Sequence, residues 1–447
     1  METVIIWSTV ILLGAAVFYI YYRQFRRTLA QSEQRKVEAR ALGIDRPKAQ
    51  YPMINAALCI GCGSCAAACP EGDVIGVVWG TATIINGERC VGHGYCELAC
   101  PVGALKVGLG DVRSRPDIPI LNENNETTVP GIFIAGELGG ISLIRNAIAQ
   151  GQKVVSEIAR RIGTSRHDRL LDVLIVGAGP AGLSAALTAI EHRLNYLVID
   201  EKEVGGTILH YPRRKLVMTQ PIDIPLYGRL DKDEYTKEYL MGMWQEIVQK
   251  YGVQVHSGER LQSIALQPDA AFEVATNHDR YHARNVVLAL GRRGTPRKLE
   301  VPGEELPKVM YQLIDAQSYH GLDLLVVGGG DSAIEAAVGL AQQSGNRVSI
   351  SYRKNGFFRV KKKNEDRVNA LIREGRIKPI FESQVTEVAA TAVSLKTPSG
   401  MVQIVNDYIF VFIGGVPPFE MLQQIGIRFG GEQQAAIADP VIEHRPR

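Results

Sequence analysis

Apolar positions along this chain fall into three kinds of run. The first is Val4 to Tyr22, VIIWSTVILLGAAVFYIYY, which contains no charge and is enough helix to cross about 30 Å of hydrocarbon. The second kind is short and closes on glycine: LDVLIVG from Leu171, NVVLALG at 285–291 and LDLLVVGGG from Leu322. Runs of that length bounded by glycine predict buried strands. The third is TTVPGIFIAGELGG, residues 127–140. A Pro-Gly turn leads the strand Ile132–Ala135 into Gly136 and Glu137, and a helix-like stretch to Ile162 follows. It reads as a strand delivering a backbone turn and a carboxylate to a ligand, placed ahead of the strand at 171 that should open its domain.

The first run lacks the basic start, short apolar core and small-residue cleavage site of a secretory signal. RQFRR follows it at once, and the positive-inside rule then leaves the bulk of the chain in the cytoplasm. Tyr19, Tyr21 and Tyr22 would sit at the membrane interface. The expectation is a single-pass anchor over 1–24 in an inner (cytoplasmic) membrane and a charged stalk, helical or flexible, over 25–50. Length allows about three domains in the 447 residues. A net charge of +3 with no basic aromatic face gives no footprint for nucleic acid.

All seven cysteines lie between 59 and 100. CIGCGSCAAACP places Cys59, Cys62, Cys65 and Cys69 in the C-x2-C-x2-C-x3-C-P spacing of an iron-sulfur run. CVGHGYCELACP repeats it 31 residues later with Cys90, Cys96 and Cys100, and with His93 where the second cysteine would fall. A disulfide framework conflicts with a reducing cytoplasm, and a zinc site leaves the paired C-x3-C-P unexplained. The segment resembles a two-cluster bacterial-type ferredoxin over 51–108. That resemblance assigns Cys59, Cys62, Cys65 and Cys100 to one 4Fe-4S cluster, and Cys90, Cys96 and Cys69 to a second. His93 departs from the pattern. Either its imidazole binds the fourth iron of the second cluster, or that corner is open, so the chain holds one or two 4Fe-4S clusters.

From Leu171 an apolar strand enters Gly177, Gly179 and Gly182, then a helix, then a strand ending at Asp200. Glycines admit a pyrophosphate to the helix N-terminus, and the strand-end acid can accept from a ribose hydroxyl. Glu201 competes with Asp200 for that role. A second such unit begins at Leu322, with Gly328, Gly330 and Ala333 at its turn. Its next strand ends in Arg353 and Lys354, with Arg359 nearby, where cations favour a 2′-phosphate and hence NADPH over NADH. The alternative is a solvated basic loop, which the three lysines at 361–363 also suit.

Two dinucleotide units in one chain resemble the thioredoxin-reductase-like flavoproteins, ferredoxin-NADP reductases among them, over about 110–430. The likeness rests on GGGDSAIEAA and YRKNGFF in the second unit, and on GGT at 205–207, which puts Gly206 and Thr207 at the flavin. It implies FAD on the first unit and NADPH on the second. Family chains end with Pro-Gly, a strand, a Gly-Asp pair on FAD and a helix. Here that ending precedes the first unit, so the flavoprotein is expected to be circularly permuted: 109–165 would complete an FAD domain of 109–303, bridged through GTSRHDR. Gly136 and Glu137, the latter in place of aspartate, would touch FAD, with 127–160 packed beside the strand at 171–176. Exchange of this segment between protomers is the rival arrangement.

The expected fold class is α/β: two Rossmann-like domains (FAD, and NADPH over 304–430 with a return to the first), a small α+β ferredoxin-like domain, the anchor and a tail over 431–447. The family's disulfide reductases carry C-x-x-C in the NADPH domain, and this chain has no cysteine after Cys100. Electrons should then pass between NADPH, FAD and the clusters, on to or from an outside partner: a redox protein, a quinone or a small molecule. A small-disulfide reductase and a redox sensor are the other readings, catalysis is expected at the flavin rather than at a named side chain, and a homodimer is left open.

Overall fold

The computed structural model describes residues 2–45, 50–109, 115–140, 143–163, 170–211, 213, 216–218, 221–232, 234–292 and 294–431. Most of the bridge GTSRHDR and of the tail lies outside these residues. The chain divides into two compact units, one of 1–110 with 358–363 and one of 111–357 with 364–447.

The first unit begins with α1, Glu2–Ala41. Its apolar half is exposed from Ile6 to Phe25 wherever its side chains are described. The other half is not a free stalk. Leu29, Ser32, Ala39 and Ile44 are buried, Arg35 pairs with Asp73 at 2.6 Å, and the Glu88 amide donates to the Ile44 carbonyl. The cysteine region is built on a repeated pattern. Strand β1 (Tyr51–Ile54) leads to the short helix α2 (Ser64–Ala67), then the hairpin β2 (Ile75–Val78) and β3 (Thr81–Ile84); helix α3 (Tyr95–Leu98) follows, and β4 (Leu105–Gly108) pairs antiparallel with β1. Gly63 before α2 and Gly94 before α3 share left-handed φ values of 76° and 86°, so the 31-residue sequence repeat is also a repeat of backbone shape. The β2–β3 turn is Trp79–Gly80, both with positive φ. Two-residue hairpins favour that geometry, but Asn-Gly usually supplies it; a tryptophan there gives up about 1 kcal/mol.

The second unit holds two five-stranded parallel sheets. Strand β5 (Ile132–Ile134) and helix α4 (Ile144–Ile162) come first, then β6 (Val173–Val176), α5 (Pro180–Glu191) and β7 (Tyr196–Asp200). The sheet order is Val255–Ser257, β7, β6, Val286–Leu288, β5. The expectation that 127–160 packs beside the strand at 171–176 therefore does not hold for β5: Val286–Leu288 sits between the two strands, parallel to both. It is α4 that packs on the first dinucleotide turn, along α5. Ile148, Val154, Val155 and Ile158 of α4 join Leu183, Leu187 and Val198 in one fully buried core. Helix α6 (Lys237–Tyr251) closes that core with Trp244. The second sheet runs Val309–Met310, Tyr408–Val411, Asp323–Val327, Arg347–Tyr352, Ile377–Phe381, with α7 (Asp331–Ala341) after its third strand. The chain then returns, and Leu422, Ile427 and Phe429 pack under the first sheet.

Candidate functional site

The thiols build the core of the first unit. Cys65 and Cys96 are buried among Val74, Ile75, Ala82 and Leu105, with Cys59, Cys69, Cys90 and Cys100 packed at its edge. Cys65 lies near enough to Cys59 and Cys62, and Cys96 near enough to Cys69 and Cys90, for their charges to repel as thiolates. Burial pushes Cys65, Cys69 and Cys90 up and drives Cys96 to about 11. Cys62 is exposed and held low, first by the Ser64 hydroxyl. Cys100 is held low, first by the Val102 amide. Amides of Ala82 and Ala104 donate to Cys59 and Cys100 sulfurs at 3.3 and 3.2 Å. Among the described residues no three such side chains already converge on a single metal ion. Each thiolate of a cubane binds a different iron, so its ligands stand apart. Two buried sulfurs among five more accessible ones, with amide donors on Cys59 and Cys100, suit such clusters, whose potentials depend on hydrogen bonds to sulfur and on exposure.

His93 lines a cavity together with Cys69, Glu71, Cys90 and Cys96. It is buried, and its Nε2 lies 4.0 Å from Glu71 Oε1, itself buried. Sequence reasoning did not single out Glu71. The signal available was an acid directly after Cys69-Pro70, where a surface turn would be read by default.

In the second unit the first glycine turn joins β6 to α5. Gly177 has φ +114°, and a side chain there would meet the Ala289 carbonyl at 2.5 Å; one on Gly182 would meet the Gly177 carbonyl at 1.8 Å. Gly179 caps α5, with Pro180 at its first position. The turn at Gly206 touches Gly179, the missing Cβ lying 2.8 Å from its Cα, and Thr207 follows it. Gly136 packs on Ala181 in the first turn of α5, at 3.3 Å from where its Cβ would be, and Gln150 accepts its amide at 2.7 Å. The structure thus gathers Gly136, Gly177, Gly179, Gly182 and Gly206 at the N-terminus of one helix, a site for a pyrophosphate.

The two strand-end acids divide the work. Both oxygens of Asp200 are engaged, accepting from the Ala178 amide at 2.6 Å and the Lys202 amide at 2.7 Å, and burial pushes its carboxyl up. Asp200 therefore clamps the turn, while Glu201 is exposed. Glu137 is open to solvent by surface area, yet surrounding protein pushes its carboxyl up against the opposing Arg292. A side chain both open and densely surrounded lies in a recess, which is what a bound group would fill. Arg292 is a residue the sequence reading missed, although it directly follows the glycine of NVVLALG. Its Nη2 donates to Asp117 Oδ2 at 3.0 Å, and its guanidinium stands 5.5 Å over Phe419.

The second turn repeats the first. Gly328 has φ +137°, Ala333 is fully buried, and Gly330 caps α7. Tyr352 ends the following strand. Its ring lies where any side chain on Gly329 would be, 2.4 Å away, and its buried hydroxyl has no hydrogen-bond partner among the described residues. Arg353 is exposed and Lys354 half-buried beside it. Arg359 falls in 358–363, which packs with the first unit, its Nε 3.7 Å from Glu88.

Comparison with known proteins agrees with this geometry. Residues 51–101 match the 4Fe-4S dicluster domain. A ferredoxin–NADP reductase of Ignicoccus hospitalis is 28% identical over 59% of this chain and 83% of its own length. The bacilliredoxin reductase Bdr of Bacillus subtilis is 27% identical over 58% and 81%. Among solved structures, the bacillithiol disulfide reductase Bdr (YpdA) of Staphylococcus aureus superposes with a TM-score of 0.53 and 27% identity, over 58% of this chain and 81% of that one. Residues 174–441, more than half of the chain, match the pyridine nucleotide-disulphide oxidoreductase family, and the protein belongs to that family of FAD-dependent oxidoreductases.

Proposed function

We propose that the protein is a membrane-anchored oxidoreductase moving electrons between NADPH, FAD and its own iron-sulfur clusters, and on to or from a separate redox partner. One observation carries the reading: all seven thiols lie within the first unit, and none follows Cys100. A family whose relatives are named disulfide reductases here has clusters in place of a dithiol, which agrees with the ferredoxin–NADP reductase relative.

FAD, when bound, supplies the exchange between a two-electron hydride and the single electrons a cluster accepts. The chain's own residues hold and orient. Gly136, Gly177, Gly179, Gly182 and Gly206 leave backbone room for the pyrophosphate, Thr207 borders it, Glu201 takes the ribose, and Glu137 faces the recess with Arg292. At the second turn Gly328, Gly330 and Ala333 admit NADPH, the buried Tyr352 hydroxyl faces it, and Arg353 and Lys354 meet the 2′-phosphate. Cys59, Cys62, Cys65 and Cys100 hold one cluster. Cys69, Cys90, Cys96 and His93 hold the second.

The reading includes a circular permutation, with 115–163 as the family's last strand and helix within the same chain. It is supported by the parallel pairing of β5, the packing of Gly136 on Ala181, and the pairing of 118–120 with 428–430 through two backbone hydrogen bonds. The anchor is supported by the apolar, exposed half of α1.

The test is anaerobic and runs both ways. NADPH is added to oxidised protein, and NADP+ to dithionite-reduced protein, and electron paramagnetic resonance follows the clusters while absorbance follows FAD. Electrons are expected to cross in at least one direction. In a Cys59→Ser, Cys62→Ser, Cys65→Ser variant, FAD still bleaches with NADPH but the first cluster's signal is gone. FAD that exchanges with NADPH while intact clusters gain and lose nothing would overturn the proposal.

A further inference from the structure

The first unit carries an exposed apolar turn whose place along α1 is set by its contacts. Ser32 Oγ lies 3.2 Å from where a Cβ on Gly76 would be. Arg35 meets Asp73, and the Ile44 carbonyl meets the Glu88 amide. Moving from Ile44 toward Ser32 along the helix therefore runs from the base of the β2–β3 hairpin toward its turn. Strand β2 points its end at the uncharged half of α1.

Distances along the two elements agree. From Ser32 back to Tyr22 is ten residues, about 15 Å of helix. From Gly76 on to Trp79 is three residues, about 10 Å of strand. The turn tip thus comes within about 5 Å of the level of Tyr22, and the interfacial layer of a bilayer is itself about 5–7 Å deep on each side.

The chemistry of the tip matches that level. Trp79 is 72% exposed, and Ile60 and Leu58 are 64% and 52% exposed. They are neighbours: Gly61 abuts the Gly80 carbonyl, and the Cys59 sulfur accepts from the Ala82 amide across the same junction. Trp79 holds a positive φ of 52° in the turn, a cost that solvent exposure alone does not repay. On α1, Arg23, Arg26 and Arg27 stand exposed beside the Tyr19, Tyr21 and Tyr22 belt. Interfacial tryptophan beside tyrosine and arginine is the composition found where protein meets phospholipid headgroups.

The geometry points to a second membrane contact: Trp79, with Ile60 and Leu58, dips into the interface of an anionic bilayer beside α1. Because Cys62 lies exposed two residues from Ile60, this contact holds the ligand loop of the first cluster at the lipid surface. The inference rests on the anchor reading.

The test uses the full chain in nanodiscs containing a phosphatidylglycerol with a photoactivated diazirine near the glycerol, and maps lipid adducts by mass spectrometry. Adducts are expected on 4–22 and on the 75–84 hairpin. Trp79→Asn, which suits the turn, should lower the hairpin adducts at least fivefold and leave those on α1 unchanged. Adducts on α1 alone would overturn the inference and leave the tip in water or against a protein. Hairpin adducts undiminished by Trp79→Asn would overturn the role given to Trp79. Absence of adducts on α1 would instead overturn the anchor reading.

Discussion

Gly151 is a point of close backbone contact between α4 and α5. A Cβ on it would lie 2.2 Å from the Ala181 carbonyl oxygen and 3.0 Å from the Ala185 amide nitrogen. Both are backbone atoms of a buried helix, so no side chain can turn aside. Gly151→Ala must then move the helices apart by about 1 Å or bend one of them. Overpacking of this kind costs about 1–3 kcal/mol, occasionally more, and a backbone obstacle puts this case near 3. For a unit of this size that is about 5 °C or more in Tm. The displacement also falls on the cofactor side, because Ala181 opens α5 and supports Gly136. Gly151→Ala should therefore lose FAD on dilution and gel filtration as well as stability, whereas Gly242→Ala, in α6 with open space around it and no left-handed φ, should retain FAD. Thermal unfolding followed by far-ultraviolet circular dichroism, with the flavin-to-protein absorbance ratio, measures both. An unchanged Tm and flavin content in Gly151→Ala would refute the packing of α4 on α5 and the permuted reading with it.

Three further outcomes are expected. Arg353→Ala should raise KM for NADPH far more than for NADH in a diaphorase assay, and equal effects would remove the 2′-phosphate from this position. His93→Ala should lose one iron or the second cluster from a wild type approaching eight irons per chain, while the first cluster persists; a wild type near four irons, unchanged by His93→Ala, would make the second site vestigial. Glu126 grips Arg161 through two bonds of 2.7 and 3.0 Å and accepts the Gly131 amide; Arg161 chiefly holds its carboxyl below the ordinary 4.5. A depressed carboxyl contributes stability above its unfolded value that is lost as pH falls, so Tm should drop below pH about 4.5, and Glu126→Gln should be less stable at neutral pH with a flatter acid limb.

What was legible in the sequence is what local chemistry dictates. LDVLIVGAGPAG had to be a buried strand, a left-handed glycine and a helix start, and the cysteine spacing had to bring sulfurs together. The positions that escaped depend on neighbours far along the chain. Nothing in Asp200-Glu201 says which acid turns back to the Ala178 amide. Arg359 lies six residues beyond Arg353, yet packs with another unit. The charged stretch after Tyr22 hides its contact face because Leu29, Ser32, Ala39 and Ile44 give one thin stripe among polar residues. Sheet order is the hardest case: Ile132–Ile134, Val173–Val176 and Val286–Leu288 are equally apolar, so any could neighbour any other by composition. The same indifference makes a permutation tolerable. Packing responds to which surfaces meet, not to the order in which the chain supplies them. A strand and helix moved from one end to the other keep their contacts if the old ends lie close. Under the proposed permutation, the hydrogen bonds from Ile120 to Arg428 and from Gly430 to Ile118 would lie at the new opening, where the family's chains would run on unbroken.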